Sequence, residues 1–78
     1  MEKDTHVDLS SLADRWPSAY VAREKVGEFT GGMVSPRYIA NLDCKGLGPN
    51  DSIIIGRKRA YPVDSLIAWL ENRARRVR

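Results

Sequence analysis

One cysteine, one histidine and one phenylalanine occur among 78 residues, and each scarcity narrows what the chain can be. With Cys44 alone no intramolecular disulfide can form, so this is not a small disulfide-stapled scaffold. Cys44 and His6 lack further ligands at metal spacing, which leaves no zinc site to expect. No Ser/His/Asp grouping, paired-carboxylate pocket or phosphate-cradling P-loop can be assembled either. The expectation is therefore a protein that is not an enzyme and takes no cofactor, metal or small-molecule ligand. No apolar run approaches the roughly 20 residues needed to cross a bilayer, so no membrane span is expected. The opening MEKDTHVDLS has neither a basic n-region nor an apolar h-region, which points to the cytoplasm. A chain this short buries only about 60% of its unfolded surface, so its core is thin and a deep cleft is not expected.

What the sequence does have is cationic surplus, unevenly placed. The net charge is +3, yet residues 1 to 28 hold four cations against six acids, and residues 29 to 78 hold nine against four. The C-terminal two thirds thus calls for an anionic partner, of which nucleic acid is the commonest, with a nucleoid-associated location to match.

Along the chain, residues 1–7 are expected to be a disordered N-terminus, 8–74 one folded domain and 75–78 a basic tail. Asp8 can cap a short helix in which Leu9, Leu12, Ala13 and Trp16 recur at helical spacing before Pro17 stops it. A second helix is expected from Ala22 to Thr30, with Ala22, Val26 and Phe29 on one stripe. Gly27 inside it would let another helix come close, and Gly31-Gly32 would end it. Ser35 as N-cap and Pro36 at the first helical position open a third helix, which runs to Asp43 or Cys44 and is terminated by Gly46. It buries Ile39 and Leu42 and turns Arg37, Tyr38, Asn41 and Lys45 outward. After the loop 47–52, Ile53 to Ile55 reads as a strand, Gly56 to Lys58 as a turn and Arg59 to Tyr61 as the returning strand. Pro62 then opens a last helix with the apolar stripe Val63, Leu66, Ile67, Leu70 and Ala74, and Trp69 on its border. Arg73, Arg75, Arg76 and Arg78 gather at its far end, where cations suit the helix dipole.

Two short helices joined by a glycine-containing turn, the second with polar residues outward, make a helix-turn-helix, and a basic hairpin after them makes a wing. The expected fold is α+β, mostly α: a winged helix-turn-helix with a two-stranded wing and an extra N-terminal helix. Three cations held at one bend, Arg57, Lys58 and Arg59, can straddle a phosphate backbone or lower an arginine into the minor groove.

From about Val21 to Leu70 the order VAREKVGEFTGG, SPRYIANLDCKGLGP, IIIGRKRAYP and VDSLIAWL resembles the excisionase and AlpA-like proteins, small winged-helix members of the MerR-like group found on phages and mobile elements and in bacterial transcription control. The segment from Gly31 to Ser35 is about two residues longer than the usual turn of that pattern, and the outer face of the third helix is less basic than in many relatives. The resemblance implies that the helix after Ser35 is the recognition helix and that Gly56-Arg57-Lys58-Arg59 is the wing. On that footing Ser35, Pro36, Arg37, Tyr38, Asn41 and Lys45 form the expected DNA-reading set. Arg37 would reach guanine O6 and N7, Asn41 would pair with adenine, and Tyr38 would touch a phosphate or a thymine methyl. Ser35 sits where a helix N-terminus can anchor a phosphate, and Arg23, Arg75 and Arg76 are further candidate phosphate contacts. Strand alternation would turn one of the three wing cations back along the sheet. The expected partner is double-stranded DNA, with an integrase or recombinase, or further copies of the chain, beside it. The rival reading is a protein-interaction module that keeps the winged fold and docks a recombinase or transcription partner.

Overall fold

A computed structural model describes residues 7–77. The expected disordered segment, apart from Val7, therefore lies outside the described residues, as do His6 and Arg78. The elements in order are α1 (Ser11–Asp14), β1 (Tyr20–Ala22), a 3-10 turn (Arg23–Lys25), α2 (Val26–Phe29), α3 (Pro36–Cys44), β2 (Ile53–Ile55), β3 (Lys58–Pro62) and α4 (Val63–Arg73). This is a small α+β fold with one three-stranded antiparallel sheet, ordered β1-β3-β2.

The sheet corrects two expectations. A third strand, β1, occupies residues that helical spacing assigned partly to the second helix. Val21 lies opposite Tyr61 and Ala22 opposite Ala60, and Ala22 is extended at φ −65° and ψ 146°. Pairing with β3 overrides the Ala22, Val26, Phe29 spacing because it buries Val21 and Tyr61 completely. The second helix is consequently short, a 3-10 turn followed by the four residues of α2. Gly27 approaches no helix either. Its nearest contact for an added Cβ is the Val34 carbonyl at 3.7 Å, ordinary packing distance.

The hairpin between β2 and β3 pairs Ile53 with Ala60, Ile54 with Arg59 and Ile55 with Lys58, so Lys58 belongs to the strand and the connection is only Gly56-Arg57. Gly56 has φ 64° and Arg57 has none of the positive φ values, the pattern of a type II′ turn, which asks for glycine first. Strand alternation places Arg59 and Tyr61 on the core-facing side of the sheet and Lys58 on the other.

The core gathers Val21, Val26, Phe29, Val34, Ile39, Tyr61, Val63, Leu66 and Ile67, with Leu9, Leu12, Ala13, Trp16, Trp69 and Leu70 packed around it. Trp16 meets Phe29 edge to face at 5.3 Å between centroids. The N-terminal helix is a single turn. Asp8 accepts the Ser10 N–H at 2.9 Å, and the Leu9 N–H donates to Glu71 Oε2 at 2.7 Å, which ties this turn to α4. Pro62 ends β3 and is the N-cap of α4 rather than its first residue. The far end of α4 is also shorter than expected. Ala74 is extended, so of the terminal cations only Arg73 lies in the last turn, and Arg75 and Arg76 follow beyond the helix. Among the described residues no helix is long and apolar enough to cross a membrane.

Candidate nucleic-acid interface

Local capping fixes α3 at both ends. Ser35 is extended, at φ −88° and ψ 156°, and its Oγ accepts the Tyr38 N–H at 3.0 Å, while Pro36 fills the first helical position. At the other end Leu47 N–H donates to Leu42 O at 2.8 Å and Gly46 N–H to Asp43 O at 3.0 Å. That bond pair is a Schellman closure, for which Gly46 supplies φ 75°. The approach to Ser35 is set by Thr30, which is buried: its hydroxyl donates to Val26 O at 2.8 Å and its Oγ1 accepts the Val34 N–H at 3.1 Å.

With Ile39 and Leu42 buried, α3 exposes Arg37, Asn41 and Lys45 at four-residue spacing along one stripe. Among the described residues these three side chains make no hydrogen bond or ion pair, and the same holds for Arg57, Arg75 and Arg76. Tyr38 is different. Its hydroxyl accepts from Arg73 Nη2 at 2.8 Å, and the Arg73 guanidinium lies 5.9 Å from its ring and 5.0 Å from that of Trp69. Tyr38 therefore leans toward the end of α4 and makes a cation–π stack there.

The inner side of α3 is tied to β3 by a three-membered network. Arg23 Nη2 donates to Asp43 Oδ2 at 2.6 Å, Arg23 Nε donates to the Tyr61 hydroxyl at 3.0 Å, and that hydroxyl donates to the same Asp43 oxygen at 2.6 Å. Burial, followed by the bond to Asp43, pushes the Tyr61 phenol up to about 12. Burial works against the charge of Arg23, but its bonds to Tyr61 and Asp43 outweigh that and leave its pKa above the ordinary value. Arg23, a candidate phosphate contact on sequence grounds, is thus already engaged by a carboxylate inside the protein.

The hairpin cations divide in the same way. Arg59 Nη1 donates to Ser52 Oγ at 2.9 Å, which accounts for the cation that turns back along the sheet. Lys58 Nζ donates to Glu24 Oε1 at 2.8 Å and Oε2 at 3.0 Å. The hydrogen bond and charge of Lys58 hold the Glu24 carboxyl below its ordinary pKa. Only Arg57 is left unengaged at the tip. Ala22, Arg23, Glu24, Pro36, Arg57, Lys58 and Arg59 line one groove of about 180 Å³, so the first turn of α3 and the cationic hairpin border the same concavity.

Sequence reasoning named the cations but missed their internal partners Glu24, Asp43 and Tyr61, and it missed Gly48. A Cβ on Gly48 would collide with Asp43 Oδ1 and stand 2.9 Å from its Cγ, so glycine there is what lets Asp43 reach the network. No short-range signal marks these pairs, whose members lie 18 to 38 residues apart. No group of three or more His, Cys, Asp or Glu is placed to hold a metal among the described residues. No family model, curated protein or solved structure matches the chain.

Proposed function

We propose that this chain is a sequence-specific binder of double-stranded DNA with a winged helix-turn-helix arrangement, acting as an excisionase-type architectural factor or a small transcription regulator. The observation that carries the reading is the shared groove: Pro36 at the start of α3 borders it together with Arg57, Lys58 and Arg59 of the hairpin, which sets the first turn of the helix beside the cations. In this reading α3 lies in the major groove. Arg37 reads guanine O6 and N7 with its two-pronged guanidinium, and Asn41 reads adenine N6 and N7. Lys45, a turn further on, and Ser35 at the helix start meet phosphates on either side. The hairpin follows the adjoining backbone or minor groove, with Arg57 as the cation free to enter it. Regulation would come from occupancy, from bending, or from an integrase, recombinase or further copy bound alongside.

The test is selection of bound sites from a random duplex library, followed by gel-shift titration at several salt concentrations. Wild-type protein should enrich one motif and show a log–log salt slope of about −0.9 for each phosphate neutralised. Arg37→Ala should lose about 1 to 3 kcal/mol on the selected site and little on random duplex, whereas Arg57→Ala should weaken both and flatten the slope by about one. Equal losses on both duplexes for both variants would contradict this division of roles.

A second reading, a protein-interaction module on the same scaffold, has one observation in its favour: Ile54 and Ile55 stand 60% and 71% exposed on the edge strand β2. It predicts negligible, salt-insensitive duplex affinity, so the same titration separates the two.

A further inference from the structure

Where the hairpin cations converge, the groove holds an anion of the protein's own. Glu24 projects from the 3-10 turn after β1, and both of its carboxylate oxygens lie within hydrogen-bond distance of Lys58 Nζ, at 2.8 and 3.0 Å. The two side chains are 56% and 65% exposed, and a pair so open to water adds little to stability, so holding the fold together is a weak account of its placement. Arg23 is occupied by Asp43 and Tyr61, and Arg59 by Ser52, which makes Lys58 the groove cation whose partner is easiest to exchange. A carboxylate that offers two oxygens to one ammonium has the same donor demand as the two non-bridging oxygens of a backbone phosphate.

We propose that Glu24 is a built-in competitor for the phosphate backbone: it occupies Lys58 in the free protein and must be displaced before Lys58 can fully engage a nucleic-acid phosphate. The inference rests on the DNA-binding reading above and deepens it. A phosphate that reaches Lys58 while Glu24 remains in place finds at most one free N–H and a like-charged carboxylate alongside, so it is held weakly until Lys58 turns away from Glu24. The carboxylate thereby caps the sequence-independent part of the affinity, which phosphate contacts supply. Net charge alone does not produce this effect, because the competition is confined to one groove.

The experiment compares Glu24→Gln with Glu28→Gln on random-sequence duplex across salt concentrations. Glu28 loses the same charge, but its cationic neighbour is Lys25 at 3.7 Å and it does not line the groove. Glu24→Gln should bind about threefold to tenfold more tightly than wild type near 0.1 M salt, with a log–log slope steeper by about 0.9, one additional phosphate. Glu28→Gln should show a much smaller gain. In a Lys58→Ala background the gain from Glu24→Gln should vanish, and thermal melts of the exposed Glu24→Gln variant should match wild type, which separates the effect from folding. A Glu24→Gln gain no larger than that of Glu28→Gln, or one that survives in Lys58→Ala, would overturn the competitor role while leaving DNA binding intact. Failure of both wild type and Glu24→Gln to bind duplex at any salt would overturn the DNA-binding reading, and this inference with it.

Discussion

Removing the Asp43 carboxylate should be among the most damaging changes this chain can suffer at a position outside its apolar core. Asp43 Oδ2 accepts from both Arg23 and Tyr61 at 2.6 Å, and its side chain is only 9% exposed. Asp43→Ala leaves Arg23 Nη2 and the Tyr61 hydroxyl proton without their acceptor, and only the bond from Arg23 Nε to the Tyr61 oxygen remains. Breaking a fully buried ion pair by deleting one partner costs about 3 to 5 kcal/mol, but Arg23 keeps 29% of its side chain in contact with water, so about 2 to 3 kcal/mol is expected. For a domain of this size that lowers Tm by about 10 to 20 °C. Gly48→Ala attacks the same network sterically. Its new Cβ competes for the space of a carboxylate that Arg23 and Tyr61 hold in place, for a loss of about 1 to 3 kcal/mol. The two effects should not add, because in Asp43→Ala the colliding atoms are gone and Gly48→Ala should then be nearly free. Urea and thermal unfolding of the four proteins provides the assay. An Asp43→Ala variant within about 0.5 kcal/mol of wild type, or full additivity with Gly48→Ala, would refute the claim that this network fastens α3 to the sheet.

The hydroxyl of Tyr61 adds a pH signature. Its folded pKa is raised from 10.0 to about 12, so the folded protein keeps a proton that the unfolded chain releases first; the contribution is complete below pH 10.0 and is lost as pH rises toward about 12. Stability of wild type relative to Tyr61→Phe should therefore fall across that interval, and a flat difference would contradict the burial and hydrogen bonding assigned to the phenol. Thr30→Val should cost about 1 to 3 kcal/mol, because the Val34 N–H loses its buried acceptor, whereas Thr30→Ser keeps both bonds and should cost less. Urea unfolding together with hydrogen exchange at the Val34 amide distinguishes loss of that bond from simple loss of packing.

The parts of this fold that were legible in the sequence are those whose causes are local. Ser35 and Pro36 mark the start of α3, and Gly46 marks its end, because capping is a matter of residues within one turn. The hairpin was legible for the same reason, through the glycine its two-residue connection needs. Strand β1 was not, since Tyr20, Val21 and Ala22 become a strand only when β3, some 40 residues away in sequence, offers its free side. The candidate site divides along the same line. Cations are visible as letters, but whether each is available depends on a partner elsewhere in the chain, and Glu24 and Asp43 show no relation to Lys58 and Arg23 until the fold brings them together.

Beside the apolar packing of Ile39 and Tyr61, the placement of α3 against the sheet is fixed by Asp43, Tyr61 and Arg23, which join the helix, the central strand and the turn after β1 at one point. Arg23 and Glu24 are adjacent residues of that turn, and they face the two kinds of demand in opposite ways. Arg23 gives its charge to the fold and loses it as a surface cation, while Glu24 withholds Lys58 from the surface without contributing much to the fold. Stability and proposed nucleic-acid affinity should accordingly separate at this dipeptide: substitutions at position 23 act on the melt first, and substitutions at position 24 act on the salt slope with the melt unchanged.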